Sequence, residues 1–457
     1  MKTSKNYKQS IYNYWYKSTD GKVNLLYNTY TGALAFVRNC DLSDVSNLLE
    51  NPNNLTLRTN RDDLFSKMFE CGFIVEDNVN EIEFVKFRAF RGAFERRNLS
   101  ITMLPTRACN FRCIYCFESE INETMTIQDC NNVLKFINSE IQRVKPEGIS
   151  ISWYGGEPLL AYDRIKQLSS ELINIASANK IRYEANIVTN GYLLTEEIAR
   201  ELINSNVKLI QITLDGPEEV HNRRRPLKNR KPTFGRIKEA IIIAKKYFDH
   251  VDIRLNIDRD NANAVLEFLR KTDWLYGKNT VVRPGKLRDY TQKCADFAPQ
   301  EKGFSAHEYN AIYEAIRKIT SDKEEDIDTV FPNALPVRSF YCGAQVFGIY
   351  TVGPNSRVYK CTSHLDIGDE VGYIKEGKFI PNQQYINYFF EKHPCDTEPC
   401  KSCKLLPLCM GGCQVIRKKC KTESELKSAI CDHFWGLLNK YLEKTALDKG
   451  QVMKGGD

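Results

Sequence analysis

No apolar run in this 457-residue chain approaches the ~20 residues that cross a bilayer, which excludes a membrane-spanning helix. The opening Met1-Lys-Thr-Ser-Lys-Asn6 lacks the hydrophobic core of a secretory signal. A surplus of one charge is missing too. The 65 Lys and Arg against 58 Asp and Glu leave a net charge of +7, too little to argue for nucleic acid. These absences predict a cytoplasmic protein with neither membrane nor nucleic acid as partner. In that reducing compartment disulfides do not persist, so the 16 cysteines are available for metal or redox chemistry. A 42% hydrophobic content over this length is enough for two to four domains with cores of their own.

Three of the cysteines stand in Arg107-Ala-Cys-Asn-Phe-Arg-Cys-Ile-Tyr-Cys-Phe117, a C-x3-C-x2-C triplet after a hydrophobic run. Cys109, Cys113 and Cys116 can hold three corners of a cubane iron–sulfur cluster. The fourth iron then has no protein ligand and is open to a reactant, unlike the four-cysteine site of an electron carrier. A zinc knuckle short of one ligand is the competing reading.

The texture of the chain changes along its length. Residues 1–97 read as a small winged-helix-like α+β module. Two strands flank the turn Asn28-Thr-Tyr-Thr-Gly32, and helical periodicity follows over 42–49, 62–71 and about 82–96. Residues 98–334 alternate strand and helix signals, with strands expected at 100–104, 148–154, 182–189, 207–214, 251–257 and 280–282 and helices between them, among them 126–144 and 195–205. Such repeats predict an α/β fold with a parallel sheet, open or rolled into part of a barrel, its chemistry at the C-terminal strand ends; a partial (β/α)6 TIM-type barrel is the expected form. The stretch 321–328 reads as a solvated helix face or linker. Residues 335–457 are rich in cysteine and poor in regular patterning, so loops folded around metal are expected there.

Taken with three further motifs, the triplet resembles the radical S-adenosylmethionine (SAM) enzymes that carry a C-terminal SPASM domain and modify peptides. The match covers about residues 98–445. Tyr115 is the aromatic of the family's C-x3-C-x-aromatic-C motif. Trp153-Tyr-Gly-Gly-Glu-Pro158 matches the Gly-Gly-Glu-Pro motif that receives the amino group of the methionine moiety. Asn186 and Thr189-Asn-Gly191 end the third strand, and Leu214-Asp-Gly-Pro217 ends the fourth. His221-Asn-Arg-Arg-Arg225 fits an H-x3-R pattern, and no more than one of its three arginines is expected to act as a ligand. The resemblance implies SAM binding by Tyr115, Tyr154, Gly155, Gly156, Glu157, Asn186, Thr189, Asn190, Asp215 and Arg225, with Arg225 on the methionine carboxylate. Cys342-x18-Cys361 and Cys400-x2-Cys403-x5-Cys409-x3-Cys413-x17-Cys431 match the SPASM spacing.

By the same resemblance Cys400, Cys403, Cys409 and Cys431 hold one auxiliary [4Fe–4S] cluster. Cys342, Cys361 and Cys413 hold another, with Cys395 or an open iron at its fourth corner. Three clusters and SAM are therefore the implied cofactors. Cys40, Cys71, Cys130, Cys294 and Cys420 read as buried or incidental thiols. Two family residues are missing. Ser356 replaces a glycine five positions before Cys361, which bears on loop shape, and Thr362 stands where sulfatase maturases place an aspartate base.

The N-terminal module resembles the leader-binding element of radical maturases of ribosomal peptides, which adds the leader as a strand. The basic run Arg88, Arg91, Arg96 and Arg97 suits an acidic leader or a solvated helix face. The activity so implied is crosslinking of a ribosomally made precursor peptide, a thioether first and a carbon–carbon bond second. Flavodoxin or ferredoxin is the implied reducing partner. A formylglycine-forming anaerobic sulfatase maturase and a non-catalytic iron–sulfur protein are the alternatives.

Overall fold

The computed structural model describes residues 5–54, 62–95, 98–287, 303–321 and 336–452. Arg96, Arg97, Cys294 and all but the first residue of the 321–328 stretch lie outside them. The chain forms two compact units.

The first unit comprises Met1–Glu95, Val330–Cys342 and Lys392–Asp457. Strands β1 (Tyr7–Gln9), β2 (Asn13–Lys17), β3 (Asn24–Asn28) and β4 (Leu34–Val37) precede helices α1 (Leu42–Glu50) and α2 (Asp62–Glu70). Strand β5 (Ile74–Glu76) and helix α3 (Glu81–Phe94) follow. The expected hairpin is β3–β4, to which β2 adds an antiparallel strand in the order β2-β3-β4. Asn28 Oδ1 accepts from the N–H groups of Tyr30 and Thr31 at 3.0 and 2.9 Å, which shapes the turn. Strands β1 and β5 pair with each other, each only three residues long. One buried core joins Tyr12, Leu25, Tyr27, Val85 and Ala89 to Cys395, Leu405, Leu406, Leu408, Phe434 and Leu438. The N-terminal module and the C-terminal cysteine segment therefore share a hydrophobic interior.

The second unit comprises Arg96–Thr329 and Gly343–Glu391. Its strands are β6 (Asn98–Thr106), β7 (Gly148–Gly155), β8 (Arg182–Thr189), β9 (Val207–Thr213), β10 (His250–Ile257) and β11 (Thr280–Lys286). They run parallel in sequence order, as a partial barrel requires. The helices after the strands include α4 (Ile127–Val144), α5 (Tyr162–Ala178), α6 (Glu196–Asn204), α7 (Glu218–Arg224), α8 (Phe234–Tyr247), α9 (Ala262–Lys271) and α10 (Ala306–Ser321). Helix α4 starts on a capping box: Thr126 Oγ1 accepts from the Asp129 N–H at 3.1 Å while the Asp129 carboxylate accepts from the Thr126 N–H at 2.9 Å.

Alternation along the strands separates two faces. Ile149, Ile151 and Trp153 of β7 and Val251, Ile253, Leu255 and Ile257 of β10 enter the core beneath the helices. The opposite, inner face carries Ser150, Ser152 and Tyr154 on β7, Asn186 on β8, Gln211 and Thr213 on β9, and Arg254 and Asn256 on β10. A closed small barrel fills that space with branched apolar side chains. A polar inner face leaves it to ligands.

The 335–457 segment departs from the expected loops. Strands β12 (Ile349–Val352), β13 (Arg357–Tyr359), β14 (Gly372–Lys375) and β15 (Lys378–Pro381) extend the sheet to ten strands. β12 lies parallel to β6, and the rest form an antiparallel meander. Ser356, standing for the family's glycine, adopts φ +54°. Its Oγ donates to Asp129 Oδ1 at 3.0 Å, which helps hold a left-handed conformation that serine otherwise avoids.

Candidate functional site: the cysteine loop and the strand ends

The cysteine triplet leaves the C-terminal end of β6 and is pinned from two sides. Toward β7, the Glu157 N–H donates to Ala108 O at 2.9 Å. The approach is so close that a Cβ on Gly156 would sit 2.4 Å from Ala108 O and 2.5 Å from Arg107 O. Gly155 adds φ +131°, a conformation open to glycine. These glycines therefore admit the cysteine loop's own backbone. On the other side, Arg112 N donates to Pro226 O at 2.8 Å, Ile114 N to Arg224 O at 3.0 Å, and Lys228 N to Asn110 O at 2.9 Å. The segment carrying the H-x3-R pattern is thus stitched to the loop.

Glu157 is fully buried, and its carboxylate accepts from Thr189 Oγ1 at 2.6 Å, Asn190 N at 2.7 Å and Leu159 N at 3.0 Å. Burial raises its pKa against these bonds. Asn190 Nδ2 reaches Asn110 Oδ1 at 2.8 Å, tying the end of β8 to the loop. Asn186 pairs with Ser152 on the inner face.

Of the three arginines, Arg223 is exposed and the other two are buried. A solvated basic loop therefore describes Arg223 alone. Arg224 bridges Asp215 at 3.3 Å and Asp258 at 2.9 Å. Arg225 Nη1 donates to the Tyr115 hydroxyl at 2.6 Å, which also accepts from Asn256 Nδ2 at 3.1 Å. Burial raises the Tyr115 pKa and keeps the phenol neutral. Arg225 Nε and all three guanidinium nitrogens of Arg107 are buried without a hydrogen-bond partner. Unmet cationic donors of this kind beside the cysteine loop suit an anionic group. His221 is also fully buried, its Nδ1 accepting from the Asp215 N–H at 3.3 Å. Burial, then the nearby Arg225, pushes its pKa down to about 3, so the ring is neutral.

Tyr154, next to last in β7, lies on the inner face, within electrostatic reach of Glu118, Cys116, Arg254 and Cys361. Glu118 is half-buried, and burial lifts its pKa to about 7 against the pull of Arg107. Sequence patterns pass over Arg107, Asn110, Glu118, Arg254, Asn256 and Asp258 because the motifs name none of them. Except for Glu118, their signal is placement at or near strand ends.

In the first unit, Cys409 lies within electrostatic reach of Cys403, Cys400 and Cys431, the four thiols expected to act together. Burial raises the pKa of each, that of Cys431 to about 11. Cationic iron offsets such a penalty by favouring the thiolate. The Arg417 guanidinium lies among Cys400, Cys409, Cys413 and Cys395, and Gly411 makes room for it: a Cβ there would stand 2.2 Å from Nη1. Cys342, Cys395 and Cys413 belong to this unit, while Cys361 belongs to the other. Cys40 and Cys71 are exposed, Cys130 is in the barrel core, and the Cys420 thiol donates to Ile416 O at 3.3 Å. Among the described residues no three Cys, His, Asp or Glu side chains converge on a single metal ion. A cubane does not require this, because each thiolate ligates its own iron and the ligands stand apart.

Residues 103–272 match the family model of the radical SAM superfamily. The chain carries a radical SAM domain. The matched span runs from β6 into α9 and contains the cysteine loop and the strand ends described above. Enzymes of this family use SAM and a [4Fe–4S] cluster.

Similar enzymes include the cysteine-type anaerobic sulfatase-maturating enzyme of Clostridium perfringens, 25% identical over 356 residues, 72% of this chain and 92% of that enzyme. The radical SAM cyclopropyl synthase TigE of Paramaledivibacter caminithermalis is 22% identical over 416 residues, 84% of this chain and 83% of TigE. The mycofactocin maturase MftC of Mycolicibacterium smegmatis is 25% identical over 331 residues, 70% of this chain and 79% of MftC. Native anSMEcpe, solved with bound AdoMet and the Cp18Cys peptide, shares the radical SAM fold: TM-score 0.55 and 20% identity over 75% of this chain and 99% of that one. Among the described residues, no helix is long and apolar enough to cross a membrane.

Proposed function

We propose that this radical SAM enzyme is a peptide maturase that installs a thioether, or in second place a carbon–carbon crosslink, in a ribosomally made precursor. The observation that carries the reading is the three-cysteine loop, fixed by backbone bonds to the end of β7 and to the Arg224–Lys228 segment that closes α7, and facing a polar barrel interior. When bound, the cluster and SAM supply a 5′-deoxyadenosyl radical, which takes a hydrogen atom from an unactivated carbon. The chain's residues do the rest. Cys109, Cys113 and Cys116 hold the iron–sulfur group. The Gly155–Glu157 loop stands where the methionine amino group is received, and Arg225, with its unmet Nε, takes the methionine carboxylate. Tyr115 fixes Arg225, and the inner-face polar groups orient the peptide and keep water out.

In the C-terminal segment Cys400, Cys403, Cys409 and Cys431 hold one auxiliary cluster; Cys342, Cys361 and Cys413 serve a second, with Cys395 or an open iron completing it. Clusters held by these cysteines would supply a sink for the electron left by bond formation, with flavodoxin or ferredoxin as the reducing partner of the enzyme. Residues 1–97 act as the leader-binding module, residues 98–334 as the radical domain and residues 335–457 as the SPASM segment. The leader adds as a strand beside β4, an edge of the β2-β3-β4 sheet.

The test is the mass of a short peptide encoded beside this gene and co-expressed with the enzyme without oxygen. Loss of two hydrogens per link with cysteines protected from alkylation supports a thioether; the same loss with free thiols supports a carbon–carbon bond. An unchanged peptide in the presence of active SAM cleavage would reject crosslinking. A second reading, oxidation of a sulfatase cysteine to formylglycine, draws on the similarity to the Clostridium perfringens enzyme. Thr362 in place of the aspartate base and the quarter of this chain unmatched in anSMEcpe weigh against it. A cysteine-bearing sulfatase peptide converted to an aldehyde would favour it.

A further inference from the structure

Arg254 lies on β10, three residues before its end, on the inner face with Asn256. Its guanidinium is held from two sides. Nε donates to Asn256 Oδ1 at 3.3 Å. From β11, Gly285 offers no side chain: a Cβ there would fall 2.1 to 2.3 Å from Nε, Nη2 and Cζ. The glycine thus makes a seat for a guanidinium plane, and any larger residue would evict it.

The seated cation has no acid of its own among the described residues. Asp252, the neighbouring acid on the same face, is 3.4 Å from Arg283 and accepts from Gln211 at 3.1 Å. Arg224 takes Asp215 and Asp258, and Arg225 takes the Tyr115 hydroxyl. Arg254 acts electrostatically on Tyr154, whose hydroxyl also feels Cys116 of the radical loop and Cys361. An oriented, half-buried guanidinium without a carboxylate, next to the place where the reacting peptide must lie, is a receptor for a carboxylate. Its planar fork suits the bidentate contact that such a group makes.

We infer that Arg254, seated over Gly285, binds the carboxylate of an aspartate or glutamate in the peptide segment presented to the cysteine loop. This rests on the peptide-maturase reading and deepens it to acidic core peptides. The role is recognition; Arg254 takes part in no bond change.

The test uses the full-length, cluster-loaded enzyme with SAM and two blocked pentapeptides, Gly-Cys-Gly-Asp-Gly and Gly-Cys-Gly-Asn-Gly, followed by calorimetric titration. The wild type is expected to bind the aspartyl peptide about ten-fold more tightly, as a charge-assisted hydrogen bond would give. Arg254→Gln should bring the ratio to about one, Arg254→Lys should keep part of it, and Gly285→Ala should lose it with no change of charge. SAM affinity should stay at the wild-type value in all three. Equal binding of both peptides by the wild type, or no binding of either, overturns the inference. So does an Arg254→Gln variant that loses SAM affinity but keeps the peptide ratio, which would assign the carboxylate to SAM, or one that weakens both peptides alike. Uncoupled SAM cleavage, measured separately, reports on the radical reading: its absence in the wild type would sink that reading while the aspartate-to-asparagine ratio still reports on Arg254.

Discussion

Gly156 touches two carbonyl oxygens of the cysteine loop, and the closeness of that contact fixes what the position tolerates. Both obstructing atoms are backbone, so Gly156→Ala must push the loop away from β7. The expected cost is about 1–3 kcal/mol of stability, read as a lower melting temperature, together with weaker cluster retention after anaerobic reconstitution. His221 gives a prediction of opposite kind. Its folded pKa lies near 3, below the ~6.5 of an unfolded histidine. The unfolded chain therefore binds a proton that the native chain refuses. The contribution is whole above pH 6.5 and drains away as pH falls toward 3. His221→Asn keeps an acceptor for the Asp215 N–H, so its melting temperature should fall less steeply than that of the wild type between pH 6.5 and 4.5. At this scale the candidate site is legible in the sequence where chemistry demands a fixed spacing, as in the Cys109, Cys113 and Cys116 triplet. Arg224 illustrates the limit: its partners Asp215 and Asp258 lie at the ends of two different strands, and no local pattern distinguishes it from Arg223.

Strands and helices join at Glu157, which binds the ends of β7 and β8 through three accepted hydrogen bonds in a dry environment. Glu157→Gln puts an N–H group against at least one donor that now finds an oxygen. The expected loss is about 1–3 kcal/mol, seen as a lower melting temperature and, under the proposed role, as weaker SAM binding. The barrel elements were legible because each is long enough to show its period. Residues 126–144 and 182–189 appear in the fold as Ile127–Val144 capped by Thr126 and as Arg182–Thr189. β1 and β5 escaped, three residues each, as did β13, since a period of two needs more than one repeat to be seen. The C-terminal meander was hidden further by its glycines: Gly372 at φ +149° would place a Cβ 2.2 Å from Ile380 O, so a residue typical of loops here permits the β14–β15 contact.

At the scale of the whole chain, the N-terminal module cannot be treated as a detachable reader. Tyr12, Leu25, Tyr27, Val85 and Ala89 share one core with Cys395, Cys400, Cys409 and Phe434, and Tyr14 and Tyr16 hydrogen-bond to Asn439 and Glu443 at 2.8 and 2.6 Å. Deleting residues 1–95 strips apolar cover from the segment that carries four expected cluster ligands. The deletion is therefore expected to lower iron content as well as peptide affinity, and alone it would not isolate leader binding. A single proline separates the two effects. The β3–β4 ladder closes with Asn28 N donating to Ala33 O at 2.9 Å. By antiparallel alternation the N–H groups of Leu34 and Phe36 then point away from β3. Leu34→Pro removes one outward donor and leaves the β3–β4 bonds in place. It should weaken binding of the full precursor by about ten-fold, the worth of one or two backbone hydrogen bonds plus a disturbed edge, with iron content and uncoupled SAM cleavage at wild-type levels. Unchanged precursor affinity, measured by fluorescence anisotropy, would move leader recognition away from β4. A parallel loss of iron would instead show that the edge serves the cysteine core.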